Sequence, residues 1–240
     1  MAKLHSIETM GLFDGPGIRT VFFLSGCPLR CLYCHNVDTQ DPKNGRFITI
    51  EEIVNKAKRM KPYFKKNSGG VTFSGGEPLM SGEFLLDAIR AVKKEGIHVA
   101  IDTSGVGDGK FYDEIVRESD LILLDIKHYT NEGFKNITGC SIMPLIKFMK
   151  TISKYDTKVW LRHVMVPNFT DSKEDVKNII DFTTLIHKNV EKFEILPYHT
   201  MGIEKYEALN IEYKLKGVDE MDKFKAKEFE KYGRELLGFK

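Results

Sequence analysis

Six short apolar runs, each followed by a longer stretch of helical spacing, restrict this chain more than any other feature of its sequence. The runs lie at residues 19–24, 70–74, 98–102, 121–127, 158–166 and 192–196. They are continuously apolar or only loosely alternating, the pattern of parallel strands covered on both faces. Helical periodicity occupies residues 50–60, 81–94, 110–118, 143–155, 172–188 and about 219–236. In the second of these, Ser81 stands before Phe84, Leu85, Ala88, Ile89 and Val92, a capped stretch with i, i+3, i+4 apolar spacing. Six such units predict an α/β fold, either a parallel barrel or partial barrel or a doubly wound open sheet. A chain of 240 residues, 42% hydrophobic, is expected to build one domain over residues 1–240.

Composition removes several function classes. Lys and Arg total 36 against 34 acidic residues, for a net charge of +2. A nucleic-acid binder usually carries a strong basic excess, so none is expected as a partner. No apolar run approaches the roughly 20 residues that cross a bilayer, and no secretion signal opens the chain, so the expected place is the cytoplasm, away from membranes. Three of the four cysteines fall between positions 27 and 34. In that compartment such a cluster suits a metal or redox site better than a disulfide framework.

The unusual residues gather at strand ends. Ser74, Gly75, Gly76, Glu77 and Pro78, then Asp102, Thr103, Ser104 and Gly105, then Asp125 and Lys127, Arg162 and His163, and Pro197, Tyr198 and His199 all sit at or near the carboxyl end of a predicted strand. In α/β barrels that rim carries the active site, and open sheets bind ligands at the equivalent edge. The bland alternatives are a strand-to-helix turn for Gly75-Gly76, helix N-caps for Asp102 and Asp125, and a structural hydrogen bond for His199.

The loop after the first strand reads Gly26-Cys27-Pro28-Leu29-Arg30-Cys31-Leu32-Tyr33-Cys34-His35-Asn36. Three thiolates can hold three irons of a cubane and leave the fourth open to an outside ligand. Three rivals stand beside this reading. Cys31 to His35 matches the C-x-x-C-H haem attachment pattern, which usually requires export. A Cys₃His zinc site would have to draw adjacent Cys34 and His35 into one tetrahedron. Buried structural thiols fit poorly with Pro28 and Arg30 beside them. The spacing identifies a metal site; it does not name a reaction.

With Tyr33 in the aromatic place, the C-x₃-C-x-aromatic-C run resembles the signature of the radical S-adenosylmethionine superfamily. Asp14-Gly15-Pro16-Gly17-Ile18-Arg19, Cys31-Leu32-Tyr33-Cys34-His35-Asn36, Ser74-Gly75-Gly76-Glu77 and Leu196-Pro197-Tyr198-His199 further resemble the glycyl-radical-enzyme activases, from about His5 to the last helix. Many activases carry an inserted ferredoxin-like domain with more cysteines. Here a short cysteine-free loop leads from Asn36 to Ile50, which favours the type acting on pyruvate formate-lyase.

The resemblance implies a partial (β/α)₆ TIM-type barrel with parallel strands, the radical SAM fold. It implies a [4Fe–4S] cluster on Cys27, Cys31 and Cys34, and S-adenosylmethionine as a consumed cosubstrate. Tyr33, Ser74, Gly75, Gly76, Glu77, Asp102, Thr103, Asp125, Lys127, Arg162 and His199 would surround the cosubstrate. Asp102, Thr103 and Asp125 would also organise a monovalent cation that relieves repulsion among carboxylates. Asp14, Gly15, Pro16, Gly17, Ile18 and Arg19 would dock the glycine loop of the partner, pyruvate formate-lyase. The reductant would be flavodoxin or ferredoxin, and the enzyme a monomer. A basic run at residues 56–66 is a solvated helix face or a dock for that acidic reductant. Cys140, isolated, is expected to be unimportant for the cluster. Against the activase stand a radical enzyme acting on a small molecule or another peptide, and an iron–sulfur electron carrier or redox sensor. The carrier would need neither the Gly75-Gly76-Glu77 turn nor the rim carboxylates.

Overall fold

The structure, a computed structural model, describes residues 2–239, with side chains throughout except those of Lys66 and Asn67. Met1 and Lys240, the ends of the predicted domain, lie outside the described residues, as does the side chain of Lys66 at the end of the basic run.

The chain opens with β1 (Ala2–Gly11), β2 (Arg19–Leu24), β3 (Arg46–Ile48), α1 (Ile50–Asn67) and β4 (Gly70–Gly75). Alternation follows: α2 (Gly82–Lys94), β5 (His98–Thr103), α3 (Tyr112–Glu118), β6 (Leu121–Asp125), α4 (Asn131–Thr138), α5 (Met143–Ile152), β7 (Lys158–Met165), α6 (Lys173–Phe182) and β8 (Val190–Pro197). Helices α7 (Ile203–Ala208) and α8 (Lys223–Leu236) close the chain. The eight strands form one sheet in the order β3-β1-β2-β4-β5-β6-β7-β8. From β2 through β8 the pairing is parallel, and β1 runs antiparallel to both β2 and β3. Among the described residues β8 pairs with β7 alone, so the sheet is open and the fold is a partial (β/α)₆ barrel.

All six predicted strands are present, within a few residues. They are readable because alternate residues pack against helices on one side and face an interior on the other. Phe22, Phe73, Ile101, Leu124, Leu161 and Ile195 belong to the main core, while Phe23, Ser74, Asp102, Asp125, Arg162 and Leu196 line a cavity. The cavity is therefore lined by residues from all six of these strands.

Three helical predictions shift for local reasons. Helix α1 starts at a capping box, with Thr49 Oγ1 accepting from the Glu52 amide at 3.1 Å, and runs on to Asn67. The predicted helix 172–188 breaks at Thr183, whose hydroxyl donates to the carbonyls of Ile179 and Ile180, and a 3₁₀ turn (Thr184–Asn189) follows. Ser81 precedes α2 without a side-chain cap, because Pro78–Ser81 is itself a 3₁₀ turn. Strands β1 and β3 and helices α4 and α7 come in addition to the predicted elements. Among the described residues no helix is long and apolar enough to cross a membrane.

Candidate active site

The cysteine loop leaves the end of β2 and is stitched to distant backbone. Gly26 donates its amide to Thr39 O (2.8 Å), Cys27 to Gln40 O (3.1 Å), Arg30 to Thr138 O (2.7 Å) and Leu32 to Ile137 O (3.0 Å). The last two acceptors are carbonyls at the C-terminal end of α4, which the helix itself leaves free. Tyr206 of α7 donates its hydroxyl to Cys34 O at 3.0 Å, and Lys205 reaches Asn36 Oδ1 and Asp38 Oδ1. Arg30 donates to the carbonyls of Cys27 and Leu29, both at 2.8 Å. Cys140, expected to be bystanding, donates its thiol to Pro28 O at 3.2 Å and so also braces the loop.

Cys27, Cys31 and Cys34 are free, half-buried and face the cavity. Burial, and next the Glu77 carboxylate, raise the pKa of Cys27; burial pushes Cys31 up to about 12. Both wait as neutral thiols, and a metal must displace their protons. Among the described residues no three His, Cys, Asp or Glu side chains converge on a single ion. That disfavours the Cys₃His zinc reading. Thiolates on separate corners of a cubane stand farther apart than ligands of one ion, so the donor set fits a cluster.

The Gly75-Gly76-Glu77 turn at the end of β4 lines the cavity, and its glycines also serve packing. A Cβ on Gly75, at φ +114°, would lie 2.3 Å from Leu24 N, and one on Gly76 would lie 2.3 Å from Gly26 O. Close approach of β2 and of the cysteine loop requires glycine at both positions. The amides of Gly76 and Glu77 are spent on Leu24 O and Gly26 O. Any ammonium held by this turn must use its carbonyls.

Glu77 is buried, and both its oxygens are occupied. Oε1 accepts from Thr103 Oγ1 (2.5 Å) and Leu79 N (3.1 Å); Oε2 accepts from Ser104 N (2.8 Å) and Ser104 Oγ (2.5 Å). Burial still raises its pKa against these bonds. Glu77 and Thr103, predicted to surround the cosubstrate, line the cavity and also tie the end of β4 to the end of β5. Ser104, absent from the predicted site, completes the knot.

Neither rim aspartate caps a helix. Asp102 accepts from Ser74 Oγ at 2.9 Å and pairs with Arg162 at 3.4 Å; Asp125 Oδ2 pairs with Lys127 at 2.6 Å. Burial alone would lower the Lys127 pKa, but Asp125, Tyr33 and Cys31 hold it well above its usual value. Each rim aspartate is thus paired with a cation of the chain itself.

Further along the wall, polar atoms are buried without partners: Tyr33 Oη, Asp125 Oδ1, Arg162 Nε and His199 Nδ1. All four residues line one cavity of about 590 Å³ together with the cysteines, Ser74 and Asp14. Lys127 Nζ lies 5.6 Å from the Tyr33 ring centroid, and the His199 ring meets His35 edge-on at 5.0 Å.

The loop ahead of β2 divides. Asp14 lines the cavity, with its pKa raised to about 6 by burial and by Asp102, against the pull of Arg162 and Arg19. Gly15 and Gly17 have φ of +128° and +65°, Pro16 and Ile18 are half-buried, and Phe13 is 87% exposed. Arg19 corrects the prediction. It is wholly buried, with Nε donating to Thr72 Oγ1 (2.9 Å) and its other nitrogens on Val71 O and His98, so it cannot meet a docking peptide.

Comparison with known proteins agrees with this geometry. Residues 21–183 match the Radical SAM superfamily. The chain is 53% identical over 237 residues to a pyruvate formate-lyase-activating enzyme of Clostridium pasteurianum, covering 99% of each chain. It is 44% identical over 236 residues to one of Staphylococcus epidermidis, covering 95% of this chain and 94% of the other. A crystal structure of a domain of pyruvate-formate lyase-activating enzyme from Bacteroides vulgatus superposes with a TM-score of 0.57 at 22% identity, over 72% of this chain and 96% of that one.

Proposed function

The chain belongs to the radical SAM superfamily, and we propose that it is the activase that installs a glycyl radical on pyruvate formate-lyase. The observation that carries the reading is the cavity wall. Four buried polar atoms without partners beside three cysteine thiols are costly in an empty protein and natural in one that binds a charged polar ligand. The volume of about 590 Å³ suits a nucleoside-sized ligand.

Cys27, Cys31 and Cys34 hold the [4Fe–4S] cluster as thiolates. Bound there, the cluster would supply the one electron that cleaves the sulfonium of S-adenosylmethionine, and the chain would hold that chemistry against the partner's backbone glycine. The chain positions and shields these groups. Carbonyls of the Gly75-Gly76 turn accept from the methionyl ammonium, and Arg162 and Lys127 face its carboxylate. Tyr33 and His199 offer their open hydrogen-bonding positions to the adenosine. Glu77, Thr103 and Ser104 keep the turn in place. Asp14, Gly15, Pro16, Gly17 and Ile18 receive the glycine loop, with Phe13 exposed beside them. One electron per turnover comes from flavodoxin or ferredoxin, and the enzyme works as a cytoplasmic monomer, one domain over residues 1–240.

Anaerobic reconstitution should load about four irons per chain, and each of Cys27→Ala, Cys31→Ala and Cys34→Ala should abolish the cluster. Adding dithionite, S-adenosylmethionine and pyruvate formate-lyase should produce a glycyl EPR doublet. Formation of 5′-deoxyadenosine without that doublet would assign the activase to another glycyl radical enzyme. A full cluster with no 5′-deoxyadenosine would leave only an electron carrier.

A further inference from the structure

Below the cavity, toward the amino ends of the strands, a wholly buried arginine is wired to the loop ahead of β2. Arg19 is the first residue of β2. Thr72 stands two residues before Ser74 on the same face of β4, about 7 Å down the strand from the cavity wall. Both side chains are fully buried. Arg19 Nε donates to Thr72 Oγ1 at 2.9 Å, and Thr72 Oγ1 donates to Asp14 O at 2.7 Å. Nη1 on His98 Nδ1 (3.2 Å) and Nη2 on Val71 O fix the guanidinium from the other side.

The direction of this chain of bonds is set by its members. A guanidinium has donors only, and a hydroxyl has a single hydrogen. With Arg19 Nε filling one lone pair of Thr72, the hydroxyl hydrogen is left for Asp14 O, and the positive charge strengthens both bonds in a site shielded from water. The fit is close on two sides: a Cβ on Gly15 would lie 3.3 Å from Arg19 Nε, and one on Gly70 would lie 2.8 Å from Nη1. Among the described residues, the Thr72 bond is the one hydrogen bond from the body of the barrel to residues 12–17. Asp14, the residue it grips, also lines the cavity. Because the peptide unit is planar, holding the Asp14 carbonyl also fixes where the Gly15 amide points.

We propose that Arg19 and Thr72 are positioning residues for the partner: through the Thr72 hydroxyl, the buried guanidinium holds the Asp14–Gly15 peptide in the orientation that receives the glycine loop. The inference rests on the activase reading. It gives Arg19 a part in docking that needs no contact with the docking peptide.

The test begins with Thr72, which touches neither the cysteine loop nor the cavity wall. In cluster-loaded Thr72→Val, S-adenosylmethionine affinity and partner-free 5′-deoxyadenosine formation should stay within about twofold of wild type, while KM for pyruvate formate-lyase in the EPR assay rises about tenfold at unchanged kcat. Thr72→Ser keeps the hydroxyl and should hold KM within about threefold of wild type. In apo protein, amide hydrogen exchange over residues 12–18 should quicken about fivefold or more in Thr72→Val but not in Thr72→Ser, with β5 and β6 unchanged. Thr72→Val leaves Arg19 Nε buried without an acceptor. Should it fail to fold, the double variant Arg19→Met/Thr72→Val removes donor and acceptor together and should show the same KM and exchange changes. An unchanged KM, or unchanged exchange over residues 12–18, overturns the positioning role. So does an equal loss of cosubstrate affinity, the mark of general loosening, or failure of both variants to fold. No glycyl radical from wild-type enzyme despite 5′-deoxyadenosine formation overturns the activase reading instead, and the exchange measurement still decides whether Thr72 holds the loop.

Discussion

Two kinds of buried polar group sit within one interior, and they differ in what surrounds them. Glu77 and Arg19 are saturated. Every oxygen of Glu77 is met by Thr103, Ser104 or Leu79, and the Arg19 guanidinium is shared among Thr72, Val71 and His98. Tyr33, Asp125, Arg162 and His199 instead keep buried polar atoms with no partner. Desolvation penalises both groups; the first is met at every polar atom, whereas in the second the Asp125–Lys127 and Arg162–Asp102 pairs leave Asp125 Oδ1 and Arg162 Nε open. The saturated groups hold strand ends together; the unsaturated ones of Tyr33, Asp125, Arg162 and His199 gather on the cavity wall. The contrast also sorts motifs that look alike in sequence, since Glu77 and Asp125 both end a strand beside a functional loop.

The sharpest way to break the contrast is to unsaturate the saturated side. In Glu77→Gln an amide NH₂ replaces one acceptor and faces the donors of Ser104 or Thr103. Apo protein should lose about 3 kcal/mol, or about 10 °C in melting temperature. S-Adenosylmethionine affinity should fall only in proportion to the folded fraction. If the Glu77→Gln protein melted with wild type but failed to bind, Glu77 would move into the ligand's own contacts.

Asp14 lies between the two groups and gives the next largest effect. In the unfolded chain its carboxyl titrates near 3.8; in the folded chain burial and Asp102 raise it to about 6. Between these values the folded state binds more proton than the unfolded state. Stability contributed by this group is full below about pH 4 and is lost as pH rises through about 6. Asp14→Asn should therefore match wild type near pH 4 and exceed it by about 2 kcal/mol at pH 7.5, measured by denaturant unfolding of apo protein. The same variant should activate the partner less well, the usual exchange of stability for function at a strained site. A pH-independent difference would place the titration elsewhere.

The contrast also explains what can be read without coordinates. The six parallel strands are legible because burial on both faces writes apolar runs into residues such as 121–124 and 99–101. Strands β1 and β3 lie at the antiparallel end of the sheet, and β1 beyond Leu4 is only intermittently buried, so His5, Ser6 and Glu8 hide it. The cysteine spacing is local and needs no fold to be noticed. Its braces are not local: Tyr206 reaches the Cys34 carbonyl across 172 positions, and Cys140 reaches Pro28 across 112. Arg19 shows the converse. Position alone makes it a docking residue, and only the pairing of β2 with β4 reveals that its charge is spent inward.

The smallest predicted effect compares two single hydroxyls, one from each group. Tyr33 Oη has no partner, whereas Thr103 Oγ1 donates to Glu77 and accepts from the Gly105 amide at 2.9 Å. Tyr33→Phe removes an uncompensated polar atom, so apo stability should hold or rise by up to about 1 kcal/mol. The cluster-loaded variant should bind S-adenosylmethionine about tenfold more weakly, about 1.4 kcal/mol. Thr103→Val should do the reverse, costing about 2 kcal/mol of apo stability because Glu77 and Gly105 each lose a partner. Isothermal titration on cluster-loaded protein and thermal unfolding of apo protein read the two axes separately. If both variants moved along the same axis, unpartnered atoms would not mark the ligand surface, because Tyr33 would then be as much part of the scaffold as Thr103.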